Sequence, residues 1–430
     1  MPSEQPRQDP KVKEFFYNVR HLECSRVKRL LKEKTISPDI QDKHCELLPT
    51  ALNIAAELNS AEMAQVLIAA KPKPADVNAV TADDRRPIWW AAKHGNKELA
   101  GVLLRGGQCE VNVIDKASGC SPLFRAVMSN SAEVVQQIIN AGGDVNQRRL
   151  GVNVGFETPL IKAVQLNNKE ICECLINSLC NIQAKTEVGL TALHFAVAYN
   201  RYEICELLLQ NRIKINVATK YGVTAMTVAI EHHNAAMVSL LIKYDYKLDK
   251  RYKWKETPLE QAINIQAEQC AIALIHGGCC LDPHRGKRSY FYMAVDAKMT
   301  HVVKLLAEIK PTYLNEQWIQ SRLWPVSIYR RPDICKWLLK LKNEPNSLMK
   351  LCRAKIFFQL GKHPTSKVSL LSLPEKLKEF LQYTDLINKK IFEPTSTDDQ
   401  MCPYYCPVPC SRADCPELDI SSESDTDILE

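Results

Sequence analysis

The sequence predicts an all-α fold, a solenoid of stacked helix pairs. Three observations carry that reading. First, a short phrase recurs: Thr50-Ala51-Leu52-Asn53, Arg86-Pro87-Ile88-Trp89, Ser121-Pro122-Leu123-Phe124, Thr158-Pro159-Leu160-Ile161, Thr191-Ala192-Leu193-His194, Thr224-Ala225-Met226-Thr227, Thr257-Pro258-Leu259-Glu260 and a worn Ser289-Tyr290-Phe291-Tyr292. Its first residues are spaced by 36, 35, 37, 33, 33, 33 and 32. Second, each copy is followed by another apolar helix pattern, such as Ile204-Cys205-Glu206-Leu207-Leu208 or Val302-Val303-Lys304-Leu305-Leu306. Third, Gly106-Gly107, Gly142-Gly143 and Gly277-Gly278 follow three of these second helices, where a left-handed backbone is expected to end them.

The elements follow in order. Lys11–Lys34 reads as a degenerate leading cap with Val27, Leu30 and Leu31 on its outer helix, within a capping segment 1–43. The repeats occupy 44–310, about eight copies. In each, Thr or Ser caps the first helix and Pro suits its first turn. One pair cannot hide both apolar sides, so neighbours must stack. The longer connection Gln147–Glu157 accounts for the spacing of 37 and is either an inert insertion or a protruding loop. Residues 311–346 carry a terminal helix pair around Trp318 and Trp337. From Ser347, Leu348, Cys352, Ile356 and Leu360 recur every four residues on one helix face. Gly361 and Pro364 stop that helix, and a second opens at Pro374 with Leu377, Phe380 and Leu381. The tail, 393–430, is rich in Pro, Ser, Asp and Glu and reads as disordered. Its Ser421, Ser424 and Thr426 beside acids offer the pattern acidophilic kinases favour, or plain solubilising charge.

Composition bounds the function. The formal charge is +7 over 430 residues, but the tail has ten acidic residues and one basic, so it carries −9 and the body +16. The body's lysines are scattered rather than gathered in a dense run, which argues against nucleic acid as a partner. No run of 18 apolar residues marks a membrane span, and the N-terminus has no apolar signal core. The cytosol or the nucleus is the expected location. In such a reducing compartment most of the 17 cysteines serve as small buried hydrophobes.

No catalytic constellation appears, and neither cofactor nor metal is expected. Cys352 has no implied base and lies on an apolar face. Cys402, Cys406, Cys410 and Cys415 lack the close pairing that zinc sites prefer. His232 and His233 read as a helix end, and no phosphate-loop motif occurs.

The period near 33 and its phrase resemble the ankyrin repeat. After such repeats, residues 347–392 resemble a SOCS box. Ser347-Leu348, Cys352 and Ile356 match each position of its elongin-binding half, and Pro345-Asn346-Ser347-Leu348-Met349-Lys350-Leu351-Cys352-Arg353 is close to the form of the ankyrin repeat and SOCS box family. The second half reads Leu371-Ser372-Leu373-Pro374, with Ser372 where the family has Pro. The resemblance implies a non-catalytic substrate receptor of a cullin-RING ubiquitin ligase. Elongins B and C would bind Ser347, Leu348, Leu351, Cys352 and Ile356. Cullin-5 with a RING-box protein would bind near Leu371, Leu373, Pro374 and Leu377, with cullin-2 as the variant. The array would hold a protein for ubiquitination and degradation. The alternative at this point is a plain ankyrin scaffold that sequesters a partner without ubiquitin transfer. On the array's concave side, Val188, Tyr221 and Trp254 line up at intervals of 33, beside Lys220 and Lys253, and Tyr199, His232 and Ile265 form a second row. Of these, Tyr199, Lys220, Tyr221, Lys253 and Trp254 are the candidate substrate-binding residues, suited to a peptide with an acidic residue and an apolar anchor. Trp89 fills the His slot of the phrase, and both it and Trp90 are expected to pack between repeats.

Overall fold

The computed structural model of the chain describes residues 9–383 apart from 34–35, 44, 151–156, 252–255, 283–287, 326, 329–331, 344–347 and 361–363. The tail 393–430, including its cysteines and hydroxyls, lies outside the described residues.

Helices α1 (Pro10–Arg20) and α2 (Cys24–Lys32) precede eight pairs. These are α3 (Ala51–Glu57) with α4 (Ala61–Ile68), α5 (Pro87–His94) with α6 (Lys97–Arg105), α7 (Pro122–Met128) with α8 (Ala132–Asn140), and α9 (Pro159–Gln165) with α10 (Lys169–Asn177). The rest are α11 (Ala192–Ala198) with α12 (Tyr202–Gln210), α13 (Ala225–Glu231) with α14 (Ala235–Lys243), α15 (Pro258–Asn264) with α16 (Glu268–His276), and α17 (Tyr290–Asp296) with α18 (Thr300–Ile309). A 3-10 turn at Pro311–Asn315, α19 (Gln317–Gln320) and α20 (Pro332–Asn343) follow. The chain's last described elements are α21 (Leu348–Leu360), α22 (Pro364–Ser369) and α23 (Glu375–Leu381). Only isolated β-bridges, such as Lys185 with Thr191 and Ala218 with Thr224, occur among the described residues.

Each first helix begins one residue after the phrase opens. Thr50, Ser121, Thr158, Thr224, Thr257 and Ser289 accept the N–H three residues on, satisfying a donor the helix start would leave bare. Pro87, Pro122, Pro159 and Pro258 take the first turn, where no N–H is needed. At Thr191 the imidazole of His194 closes the cap: its Nδ1 accepts Thr191 N at 3.2 Å and lies 2.9 Å from the Thr191 hydroxyl. First helices stack in a continuous row from α3 to α17, with α1 against α3 and α2 against α4 at the N-terminal end. The apolar core runs unbroken from Val12 to Tyr383.

The glycine pairs act differently from one another. Gly142 and Gly278 turn the chain at φ of +89° and +81°. Gly106 keeps a helical φ of −76°, and a Cβ there would stand 2.8 Å from Ile68 Cγ2, so close approach is what requires glycine.

A ladder of short polar side chains ties repeat to repeat. Asn78, Asn112, Asn146, Gln183, Asn216 and Asp249 accept the backbone N–H of Glu110, Asp144, Asn181, Lys214, Lys247 and Cys280 at 2.6–3.0 Å. Each rung satisfies a loop amide that the helices cannot reach.

The C-terminal helices are docked on the array. α21 packs against α18. Arg353 is 1% exposed and pairs with Glu308 of α18. Its Nη1 donates to Phe380 O at 3.1 Å, and its guanidinium lies 4.3 Å and 4.1 Å from the Phe380 and Tyr383 rings. Phe357 meets Tyr383 edge to face at 5.3 Å. One arginine therefore joins the array, α21 and the segment after α23. α22 is an element the sequence reading lacks, and Pro374 stands one residue before α23 rather than inside it.

Two outcomes are expected. Breaking a buried ion pair from one side costs about 3–5 kcal/mol. Arg353→Met should therefore speed amide exchange across α21–α23 while α5–α14 keep their protection, as hydrogen exchange would read. Secondly, burial pushes His194 and His276 down to about 4 from an ordinary 6.5, so both are neutral when folded and can take up a proton when unfolded. Stability from these two groups is full above pH 6.5 and falls as pH drops toward 4, by about 1.4 kcal/mol per pH unit for each imidazole. His194→Asn should keep the fold, since Asn53 fills the same slot and bonds Thr50 Oγ1 at 3.2 Å and Ala79 O at 3.1 Å. Urea midpoints between pH 7 and pH 5 should show a shallower acid slope in that variant.

Candidate functional site

The face of α21 away from the array is bare. Leu351 is 45% exposed and Ile356 37%, with Cys352 exposed between them. Arg353, Ala354 and Phe357, a third of a turn round, are buried against α18 and the segment after α23. The Cys352–Ile356 face is therefore turned away from the array, and the side bearing Arg353 makes that contact. Ser347 lies outside the described residues.

A second bare apolar stretch lies between α22 and α23. Leu371 is 39% exposed and Leu377 41%, Pro374 is exposed and Leu373 half-buried. Ser372, the departure from the family pattern, is also exposed. Leu370, at 86%, belongs with them and was not singled out by sequence; the Leu370-Leu371 doublet was its only signal. Phe380 and Leu381 turn inward instead.

On the array, Lys220 and Tyr221 sit at a finger tip, where Lys220 N donates to Val188 O at 3.0 Å and aligns that finger with the one before. Tyr221 is 70% exposed. Tyr199 is half-buried at the end of α11 and packs partly on the core, so only its edge is offered. Lys253 and Trp254 lie outside the described residues. His232 caps the end of α13 and His233 turns the chain at φ +54°. No group of three or more His, Cys, Asp or Glu among the described residues could hold a metal ion.

The phrase arithmetic also places a wider surface, because positions three, four and seven past its first residue lie on one side of each first helix. In the second and third repeats these include Trp89, Trp90, Lys93 and Arg125. Trp89 is buried, donates Nε1 to Asp115 at 3.2 Å, and has the Arg85 and Arg125 guanidinium groups 4.5 Å and 4.9 Å from its ring. In the sixth to eighth repeats the same positions hold Glu231, Glu260 and Asp296. An open cavity of about 450 Å³ lies between α15 and α17, with Glu256, Glu260 and Asp296 in its lining.

The buried thiols are quiet. Burial pushes Cys172, Cys205 and Cys270 up to about 12 and Cys109 and Cys180 up to about 11, so each stays protonated at neutral pH. All cysteines among the described residues are free.

Comparison with known proteins agrees with this architecture. A family model described as ankyrin repeats matches residues 52–149 and 123–219, and one described as SOCS box matches 344–382. The chain is 29% identical over 186 residues to the nuclear factor NF-kappa-B p105 subunit of Gallus gallus, covering 42% of this chain and 18% of that one. It is 31% identical over 119 residues to the B-cell lymphoma 3 protein homolog of Mus musculus, covering 27% of this chain and 26% of that one. The chain thus spans about a fifth to a quarter of the length of these curated relatives. A crystal structure of the human ASB11 ankyrin repeat domain aligns at 25% identity and a TM-score of 0.44, covering 53% of this chain and 97% of that one. With both models matched in this order along one helical chain, the protein is an ankyrin-repeat protein carrying a SOCS box, the combination that defines the ankyrin repeat and SOCS box family.

Proposed function

We propose that the chain is a substrate receptor of a cullin-RING ubiquitin ligase. The observation that carries this reading is the bare Leu351–Cys352–Ile356 face on a SOCS-box helix whose other face is locked to the array. A helix that presents apolar anchors one turn apart suits insertion into a partner's groove. In this reading elongins B and C cover Leu348, Leu351, Cys352 and Ile356, with Ser347 at the helix start. Cullin-5 and its RING-box protein sit near Leu371, Leu373, Pro374 and Leu377. The array holds the target, and the chain does no covalent chemistry. Its contribution is to raise the local concentration of substrate lysines near the transferring machinery, for ubiquitination and proteasomal degradation. The setting is the cytosol or nucleus, where the buried thiols stay reduced.

The substrate surface in this reading includes Tyr199, Lys220, Tyr221, Lys253 and Trp254. An exposed tyrosine beside basic groups is the composition of a binding hot spot.

Leu348→Ala with Cys352→Ala should abolish co-purification of elongins B and C while leaving the array's melting unchanged; elongins retained at wild-type level would sink the elongin assignment. Pull-downs against cullin-5 and cullin-2 should recover cullin-5, with Leu377→Asp losing it and keeping the elongins. Recovery of elongins with no cullin at all would favour the scaffold alternative. Tyr221→Ala with Trp254→Ala should release trapped substrates and keep elongins, and substrate recovery equal to wild type would refute that placement.

A further inference from the structure

We infer that the cavity between α15 and α17 seats a lysine or arginine side chain of the bound protein, and so deepens the substrate-receptor reading on which it rests. The cavity opens between the first helices of the last two repeats and measures about 450 Å³. That falls within the range of sites that hold a compact ligand group, roughly 300–1,000 Å³.

Its lining is chemically lopsided. Glu256, Glu260 and Asp296 contribute three carboxylates to the lining against the guanidinium of Arg288, and Arg251 Nη2 stands 4.0 Å from Glu260, which leaves Glu256 and Asp296 as the carboxylates that face an incoming cation. Arg288 lies over the Tyr292 ring at 4.6 Å, which places its charge on that ring's face. Ile263 and Met293 supply apolar wall. Apolar wall leading to carboxylates is what a long basic side chain matches, since its methylene stem packs while its head makes charge-assisted hydrogen bonds.

The carboxylates are held in place rather than loose. Asn264 Nδ2 donates to Glu256 at 2.9 Å, Ser327 Oγ to Asp296 at 2.6 Å, and Thr257 N to Glu260 at 2.9 Å. Fixed acceptors lose little freedom when a cation arrives.

The rest of the inner face gives the ligand a direction. Arg85, Lys93 and Arg125 with the two tryptophans mark the second and third repeats, whereas Glu231 continues the acidic end into the sixth. Along the first helices alone, a segment is favoured with its acidic part toward the N-terminal repeats and its basic part at α15–α17, while the fingers beside them keep the basic residues Lys220 and Arg251. The basic part then lies one helix pair from α21, because α18, the partner of α17, is the helix on which α21 packs.

The test uses the full chain and a fluorescein-labelled octapeptide with Leu-Arg-Lys-Leu at its centre, beside the same peptide with both basic residues changed to Glu. The basic peptide should bind, with an affinity that falls as salt rises. Glu256→Gln with Asp296→Asn should weaken it at least tenfold; both substitutions keep an acceptor for Asn264 and Ser327. Glu260 is left intact because it caps Thr257. Met293→Lys, which sets a like charge in the cavity and touches no carboxylate, should weaken it as well and covers the case of a double variant that fails to fold. Equal binding of the two peptides, no binding up to about 1 mM, or wild-type affinity in the folded variants overturns the inference. Elongin capture is read in parallel on the same proteins: if it persists while the basic peptide fails, the receptor reading stands and the cavity assignment alone is lost.

Discussion

No helix pair in this chain can bury both of its apolar sides, and that constraint shapes everything else. Interior repeats solve it by stacking, so each one's stability is shared with its neighbours. The two ends need other solutions. At the front, α1 and α2 lay Phe15, Phe16 and Val27 over the first pair. At the back, the SOCS-box helix α21 covers α18, and Arg353 draws Glu308, Phe380 and Tyr383 into one cluster. The module that faces outward is thereby also the lid of the array.

That double role explains why α21 has two such different sides. Arg353, Ala354 and Phe357 are spent on the chain itself; Leu351, Cys352 and Ile356 are not. A helix bearing apolar residues on both sides has a weak amphipathic pattern, so its sequence alone cannot say which side is covered by what. The same limit applied to Arg353. An arginine next to a lysine-bearing turn reads as solvated charge, and only the position of Glu308, 45 residues earlier, makes its burial tolerable.

The repeats were far more legible. Thr or Ser followed by Pro predicts a capped helix start from local chemistry, and the structure places the starts there. Even Arg86, which cannot cap with a hydroxyl, precedes a helix, because Pro87 and the stacked neighbours suffice. The polar ladder at Asn78, Asn112 and Asn146 was hidden for a different reason. Its residues are short and polar in loops, where such residues are ordinary, so nothing local marks them as bonded to the next repeat. α22 was missed because Pro364 reads as a stop, while a proline opens a helix as readily as it ends one. The inner-face candidates were found only where a single period linked them, which is why Lys220 and Tyr221 were visible and the cavity between α15 and α17 was not: its lining mixes several positions of two repeats.

The exposed leucines around α21 and α23 bear on how much of this protein a cell can keep. Leu351, Ile356, Leu370, Leu371 and Leu377 are apolar side chains that this chain leaves partly open to water. Whatever protein covers them also protects them, and by mass action the soluble amount of the chain follows the concentration of that cover. Its abundance would then be set by supply of a partner as much as by its own synthesis.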